Sequence, residues 1–412
     1  MLTFKNIVAA NSYLFKYSGR VGGCESIYIK RGHKREMLSY KFRIYPSKSI
    51  QGKLNEQIEL CRWLYNRLLE ELDKAKKEGR KIKRTDTQAL IVKLKEEKTE
   101  LNKVYSKVLQ MVNYQLWSNI KTLHKLKKKG KKVGRLRYKG KGWFKTLNFN
   151  QSGFNIDFEN NKLILSKVGS IPIKLHRRIE GEIKGVIIKR ERSGKWHAIV
   201  HVEDELKPLP KTGKTIGIDV GVRYFLTDSE GRQIENPRFY ERTLQRIRIL
   251  HRKLSRKQKG SNREKARIKL AKAYEKLVNQ RNDFLHKISR FFVNIYDVIV
   301  VEDLRIQNMV KAGGTLAQRI LDASWGKFIQ MLSYKAERAG RRVEKVSPRG
   351  TSEGLSIDDP YRDYVSACRI LSRGLGRPFV PVKGRPLLRV TSFEVITGQV
   401  SLMKQEPPIA FQ

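Results

Sequence analysis

The sequence predicts an α/β chain of several domains, on three observations. It is 412 residues long. It carries a β-rich stretch at 146–205 with helical periodicity before it and after it. It then enters a period-two strand at Thr215–Phe225 and, much later, a strand at Tyr296–Leu304 with four consecutive apolar residues bounded by acids. At typical domain sizes that length corresponds to roughly two or three domains. A content of 39% hydrophobic and 9% aromatic residues is enough to fill their cores. Charge sets the class of partner. The 88 Lys+Arg against 40 Asp+Glu leave a formal +48. Self-repulsion of that size opposes compaction, so the excess points to an extended polyanion, nucleic acid first. No apolar run approaches the ~20 residues of a spanning helix, and no charged-then-apolar leader follows Met1. A cytoplasmic protein with no membrane partner is therefore expected. Cys24, Cys61 and Cys368 are isolated, so neither a disulfide framework nor a zinc ribbon is encoded.

Residues 1–36 show little periodicity and are expected to be a dispensable extension, with translation able to start at Met37. Tyr40, Phe42 and Ile44 alternate with Lys41 and Arg43, a strand that Pro46 ends. Residues 47–129 read as helices. Ser47 or Ser49 can cap the first, in which Leu54, Ile58, Cys61, Leu64, Leu68 and Leu72 recur every three to four residues. Trp63 and Trp117 fit these apolar stripes and read as core rather than base-stacking platforms. Residues 121–145 hold 12 Lys/Arg and no acid. Glycines and the aromatics Tyr138, Trp143 and Phe144 interleave with that charge, which suits a flexible segment gripping phosphates and stacking on bases. Lys127, Lys128, Lys129, Lys131, Lys132, Arg135 and Arg137 are its candidate nucleic-acid ligands. Short strands at 154–158, 162–165, 171–175, 186–190 and 197–202 suggest a small barrel or open sheet. His197 and His201 share a face of the last of these and read as a surface pair, not a metal site. Pro208 and Pro210 mark a linker.

The central strand follows. Ile216, Ile218 and Val220 suit a core, whereas Gly217, Asp219 and Gly221 occupy the opposite face. A carboxylate between two glycines stands on a bare surface that a ligand can approach. Further short strands complete an antiparallel meander. Residues 241–281 carry 15 Lys/Arg against 3 acids and read as part of a helical hairpin, with Arg246, Arg252 and Arg256 on its basic outer face. The run Val298–Val301, bounded by acids, suggests a buried parallel strand. Glu302 sits at its carboxyl end, where open α/β sheets place ligands, the other reading being that Glu302 or Asp303 is a solvated strand end. An amphipathic helix ending at Gly340, a short strand at Val343–Val346 and a helix beginning near Asp363 complete the pattern. The tail from Arg377 is proline-punctuated and reads as a loose extension. A meander, then helices, then a buried parallel strand is the order of an RNase H-like nuclease core. Asp219, Glu302 and Asp363 are its candidate catalytic and metal-binding carboxylates for two-ion phosphodiester hydrolysis with Mg²⁺ or Mn²⁺.

Gly217-Ile-Asp-Val-Gly221, Val300-Val-Glu-Asp-Leu304, Phe328–Gly340, Ser347-Pro-Arg-Gly-Thr-Ser352 and Arg362-Asp363 resemble the RuvC-type motifs of TnpB proteins. These are transposon-encoded relatives of the type V CRISPR effectors, also known as the OrfB family of insertion sequences. Tyr40–Pro46, Cys61–Asn66 and Arg281–Lys287 resemble further segments of that family. The resemblance spans 37–375. It implies an RNA-guided DNA endonuclease whose partners are a guide RNA and double-stranded target DNA. It also implies a β-barrel wedge domain at 37–50 and 130–210 and a helical recognition domain at 51–129. A RuvC/RNase H-like domain would span 213–375 with its hairpin at 241–295, followed by a tail at 376–412. The family's three acids fall on Asp219, Glu302 and Asp363. Its usual zinc ribbon is absent, since only Glu353–Arg362 separates Ser352 from Asp363. Asp358 and Asp359 therefore stand as alternative third ligands, and no zinc is expected. A derivative that binds RNA and DNA without cutting, as a transposition accessory or repressor, is the alternative function.

Overall fold

The computed structural model describes residues 35–311, 313–380 and 387–397. They fall into two compact units that divide after Glu205.

The first unit opens with strand β1 (Arg35–Ile44) and three helices, α1 (Lys48–Lys77), α2 (Arg84–Glu97) and α3 (Ser106–Lys128), with a 3-10 turn at Thr99–Lys103. Six strands follow: β2 (Thr146–Asn150), β3 (Phe154–Asp157), β4 (Lys162–Leu165), β5 (Gly169–Lys174), β6 (Glu182–Arg190) and β7 (Trp196–Glu205). They pair antiparallel in the order β2-β6-β7-β1-β5-β4-β3. Only residues 151–153 join the two edge strands, so the sheet curls almost to closure. Its inner face comes from strict alternation. Trp196, Ala198, Val200 and Val202 of β7 are buried while the residues between them are half-buried. Leu54, Leu64 and Leu68 of α1 and Val108 and Leu116 of α3 pack into the same core. Ser47 is the α1 cap, its hydroxyl accepting from Ile50 N at 3.3 Å.

Three expectations change here. β1 begins before Met37, because Arg35 and Glu36 pair with Glu205 and Asp204. Residues 1–34, Cys24 among them, lie outside the described residues. Strand β2 was not anticipated, although Leu147 and Phe149 alternate with polar neighbours and are fully buried. Phe144, grouped above with stacking aromatics, is core, whereas Trp143 is 66% exposed. Trp63 and Trp117 are both half-buried, and the Trp117 indole donates to Thr87 Oγ1 at 2.9 Å.

The second unit begins with the meander β8 (Thr215–Asp219), β9 (Tyr224–Asp228) and β10 (Arg232–Glu235). The helical hairpin α4 (Phe239–Ser255) and α5 (Ser261–Ile295) leads to β11 (Val298–Glu302). Then come α6 (Ile306–Met309), α7 (Gly314–Ala323), α8 (Trp325–Arg338), β12 (Arg342–Val346) and α9 (Arg362–Gly374), and finally β13 (Leu388–Val390) and α10 (Ser392–Thr397). The sheet order is β12-β11-β8-β9-β10-β13. β8, β9 and β10 run antiparallel, β11 lies parallel to both β8 and β12, and β13 lies parallel to β10.

Period two then decides what covers each face. Ile216, Ile218, Ile299 and Val301 share one core with Phe284, Leu285, Ile288 and Phe292 of α5 and Phe328 and Leu332 of α8. Phe225 makes edge contacts there with Phe284 and Phe328, ring centres 5.1 and 5.2 Å apart. The alternate residues Gly217 and Val300 face α9. Part of the segment read as a loose tail is built into this unit. Arg232, Gln233 and Ile234 pair with Leu388, Arg389 and Val390, and Glu235 accepts from Ser392 N and Oγ at 2.9 Å. Among the described residues no helix is long and apolar enough to cross a membrane.

Candidate active site

Asp219 and Glu302 are the last residues of β8 and β11, neighbouring parallel strands in which Val301 pairs with Ile218. Both therefore end on the same edge of the sheet. Asp219 stands two residues beyond Gly217, and Glu302 two beyond Val300, so both project toward the α9 face. Helix α9 reaches them because the sheet gives way beneath it. A Cβ at Gly217 would lie 2.2 Å from the Ala367 carbonyl oxygen and 2.8 Å from Leu371 Cβ. At the other end of α9, a Cβ on Gly374 would lie 2.4 Å from Val300 Cγ1. Asp363, Ala367 and Leu371 recur at helical spacing, so the seat that Ala367 and Leu371 take on Gly217 carries Asp363 one turn further, toward Asp219. Asp363 Oδ2 is 3.9 Å from the Cβ position of Gly221. The glycine flanking Asp219 on its amino side thus admits the chain's own helix, not a ligand, and this corrects the bare surface read from sequence.

The electrostatics follow from that packing. The Asp219 carboxyl is pushed well above the usual range, first by burial, then by the charges of Glu302 and Asp363, with Arg362 opposing. Burial also raises Glu302, against a hydrogen bond from Thr351 and the charge of Arg373. Asp363 is raised by burial too, against Arg362 and Arg223. Glu302 is only 8% exposed, and Thr351 Oγ1 donates to its Oε1 at 2.7 Å. The structure therefore places Asp219 within electrostatic reach of both Glu302 and Asp363. As placed, no group of three His, Cys, Asp or Glu side chains among the described residues is arranged tightly enough to hold a metal ion. Asp303 points to solvent with Lys345 3.8 Å away. Asp359 Oδ1 accepts from Tyr361 N at 2.8 Å in a turn, and Asp358 is exposed.

The basic candidates are all exposed. Lys127 and Lys128 close α3. Lys129, Lys131, Lys132, Arg135 and Arg137 lie in the segment after it, and Arg246, Arg252 and Arg256 lie along and just past α4. None of them makes an ion pair among the described residues. The segment after α3 is fastened to α1: Asn66 donates to Lys139 O at 3.0 Å and accepts from its N at 2.7 Å, Arg62 donates to the same O at 3.1 Å, and the Tyr138 hydroxyl donates to Asp73 Oδ2 at 3.1 Å. His201 Nδ1 lies 2.9 Å from Ser39 Oγ, and His197 lies 3.9 Å from Glu191, so the two histidines are engaged separately on the sheet surface. Thr351 and Arg362 lie in motifs quoted above but carry no role there, and Arg373 has no sequence signal at all; the structure shows all three acting on the acids.

Comparison with known proteins gives three family models. Residues 197–313 match one described as a probable transposase, 37–81 one described as a helix-turn-helix domain, and 325–370 one described as a Cas12f1-like TNB domain. Within 37–81 the structure has strand β1 and the single long helix α1, not two helices about a turn. A Streptomyces pristinaespiralis protein named "Putative RNA-guided DNA endonuclease" is 32% identical over 313 residues, covering 74% of this chain and 76% of that protein. The Escherichia coli (strain K12) protein "Putative RNA-guided DNA endonuclease InsQ" is 27% identical over 337 residues, covering 77% and 82%. A solved structure of a Cas12f1–sgRNA–target DNA complex aligns at a TM-score of 0.47 and 13% identity, over 82% of this chain and 98% of that one.

Proposed function

The chain belongs to the TnpB-type family of insertion-sequence proteins, relatives of Cas12f, and from that premise we propose that it is an RNA-guided DNA endonuclease that cuts with divalent metal held by Asp219, Glu302 and Asp363. The observation that supports the proposal is that Asp219, at the end of β8, lies within electrostatic reach of Glu302, at the end of β11, and of Asp363, at the head of α9. The meander followed by two parallel strands, in the order β12-β11-β8-β9-β10, supports an RNase H-like core. The donor chemistry fits Mg²⁺ or Mn²⁺. It is all carboxylate oxygen, with no Cys or His, and no hydrogen bond from the described residues reaches the Asp219 or Asp363 carboxylates. A bound ion pair supplies an activated water and a stabilised leaving oxygen. The chain's own part is to bring three repelling carboxylates together. Arg362 adds a half-buried guanidinium, whose Nε has no acceptor among the described residues, for a phosphate oxygen. Lys127 to Arg137 and the α4 arginines would hold the nucleic-acid backbone, while pairing with a guide RNA would select the double-stranded DNA target, as in other guided effectors.

A second reading, a relative that binds RNA and DNA without cutting, is favoured by the open spacing of the three acids. One experiment separates the two. The protein, purified with its bound RNA, is tested on a target library with and without Mg²⁺, beside Asp219→Asn. Cutting that needs Mg²⁺ and is lost in the variant supports the nuclease. Binding without cutting supports the second reading. Without metal, Asp219→Asn relieves a buried, repelled charge and should raise the melting temperature by about 2–4 °C. Mg²⁺ should then stabilise only the wild type.

A further inference from the structure

We infer that Thr351 is a positioning residue for Glu302, and that Arg369 and Arg373 of α9 hold Thr351 in place; this rests on the carboxylate-site reading above. Thr351 is 4% exposed, and its hydroxyl donates to Glu302 Oε1 at 2.7 Å. The same hydroxyl also lies 3.0 Å from Pro348 O. It has one proton for two acceptors, and the charge-assisted bond to a carboxylate is the stronger. That bond fixes the rotation of the Glu302 carboxyl and leaves Oε2 for another ligand.

The loop that carries Thr351 has no regular structure between Val346 and Arg362, yet two side chains fasten it. Arg369 Nη1 donates to Thr351 O at 3.2 Å and Glu353 O at 2.7 Å. Arg373 Nη1 donates to Ser347 O at 3.2 Å and Arg349 O at 2.6 Å. The Arg369 guanidinium also stacks 5.3 Å from the Phe379 ring centre. Arg369 and Arg373 lie one turn apart, on a different side of α9 from Asp363, Ala367 and Leu371. One helix therefore presents its own acid to the site and, through four main-chain carbonyls, sets the orientation of a second acid on another element. Groups that hydrogen-bond a metal-binding carboxylate in this way are costly to remove.

The test uses the full chain purified with its bound RNA. Mn²⁺ binding is measured by titration calorimetry in wild type, Thr351→Val, Thr351→Ser and Asp219→Asn, alongside Mg²⁺-dependent cleavage. Removing the hydroxyl in Thr351→Val should weaken Mn²⁺ binding about 10- to 100-fold, and Thr351→Ser, which keeps it, should stay within about threefold of wild type. Wild-type affinity in Thr351→Val, with binding still lost in Asp219→Asn, overturns the inference and leaves the carboxylate reading standing. Absence of any Asp219-dependent Mn²⁺ binding in the wild type overturns both. Should Thr351→Val not fold, Arg369→Gln carries the test with the same expected weakening and the same overturning result.

Discussion

Gly217 is the residue on which the position of Asp363 turns, and Gly217→Ala is the sharpest perturbation of the site that leaves every functional group in place. The added Cβ would fall 2.2 Å from the Ala367 carbonyl oxygen and 2.8 Å from Leu371 N, where ordinary contact begins at 3.4 Å. Both neighbours belong to one helix, and a close-packed interior offers no slack, so α9 must retreat by about 1 Å. Overpacking of this size costs about 1–3 kcal/mol. In a domain of this length that lowers the melting temperature by about 3–10 °C. Asp363 moves with the helix, and a misplacement of about 1 Å lowers the rate of cleavage on the order of 100-fold. Differential scanning fluorimetry reads the first effect and single-turnover cleavage the second. Gly134→Ala is the control, because nothing lies within 4 Å of its Cβ position. A Gly217→Ala protein that melts with the control and cuts within about threefold of wild type would show that α9 does not depend on this seat.

Two further predictions concern the polar groups that α5 and α7 or α8 bury between them. Lys335 donates to His286 O at 2.6 Å and Ser289 Oγ at 2.8 Å, and burial together with Arg290 pushes its pKa down to about 7 from 10.5. Between those values the unfolded chain keeps a proton that the folded one has released, so folding gains stability as pH rises through the window. The destabilisation caused by Lys335→Met should therefore shrink, by on the order of 1–3 kcal/mol, as pH falls from about 9.5 to about 7; urea melts giving an equal difference at both pH values would refute it. Arg281 pairs with Asp322 at 2.6 Å with both side chains at most 9% exposed, and both Asp322 oxygens also accept from Tyr240 N at the start of α4. Arg281→Met strands that carboxylate and should cost about 3–5 kcal/mol, with part recovered when Asp322→Asn is added. No recovery in the double variant would locate the cost in packing instead.

Much of this site could be read from the chain because its signals are local. Strand β8 announces itself by alternation, β11 by four apolar residues between acids, and each ends on its acid. The helical hairpin and β12 likewise follow from periodicity. What escaped depends on partners distant in sequence. The space above Gly217 was assigned to a ligand, since a glycine reveals that something approaches but not what. The Thr351 bond to Glu302 spans 49 residues and no spacing rule predicts it. Strand β13 is three residues long in a proline-rich stretch, and only its pairing with β10 makes it a strand. Phe144 sits among lysines and glycines, and charge there outvoted the one buried ring.

The seating of β13 on β10 bears on how the molecule can be shortened. A compact version designed to stop after Gly374 would keep all three acids. It would also uncover the Arg232–Ile234 main chain, a strip of unmet donors and acceptors that invites another copy to dock. It would strip Glu235 of its Ser392 contacts as well. The shortest form expected to stay monodisperse therefore runs past Thr397, and a carboxy-terminal fusion belongs beyond that point.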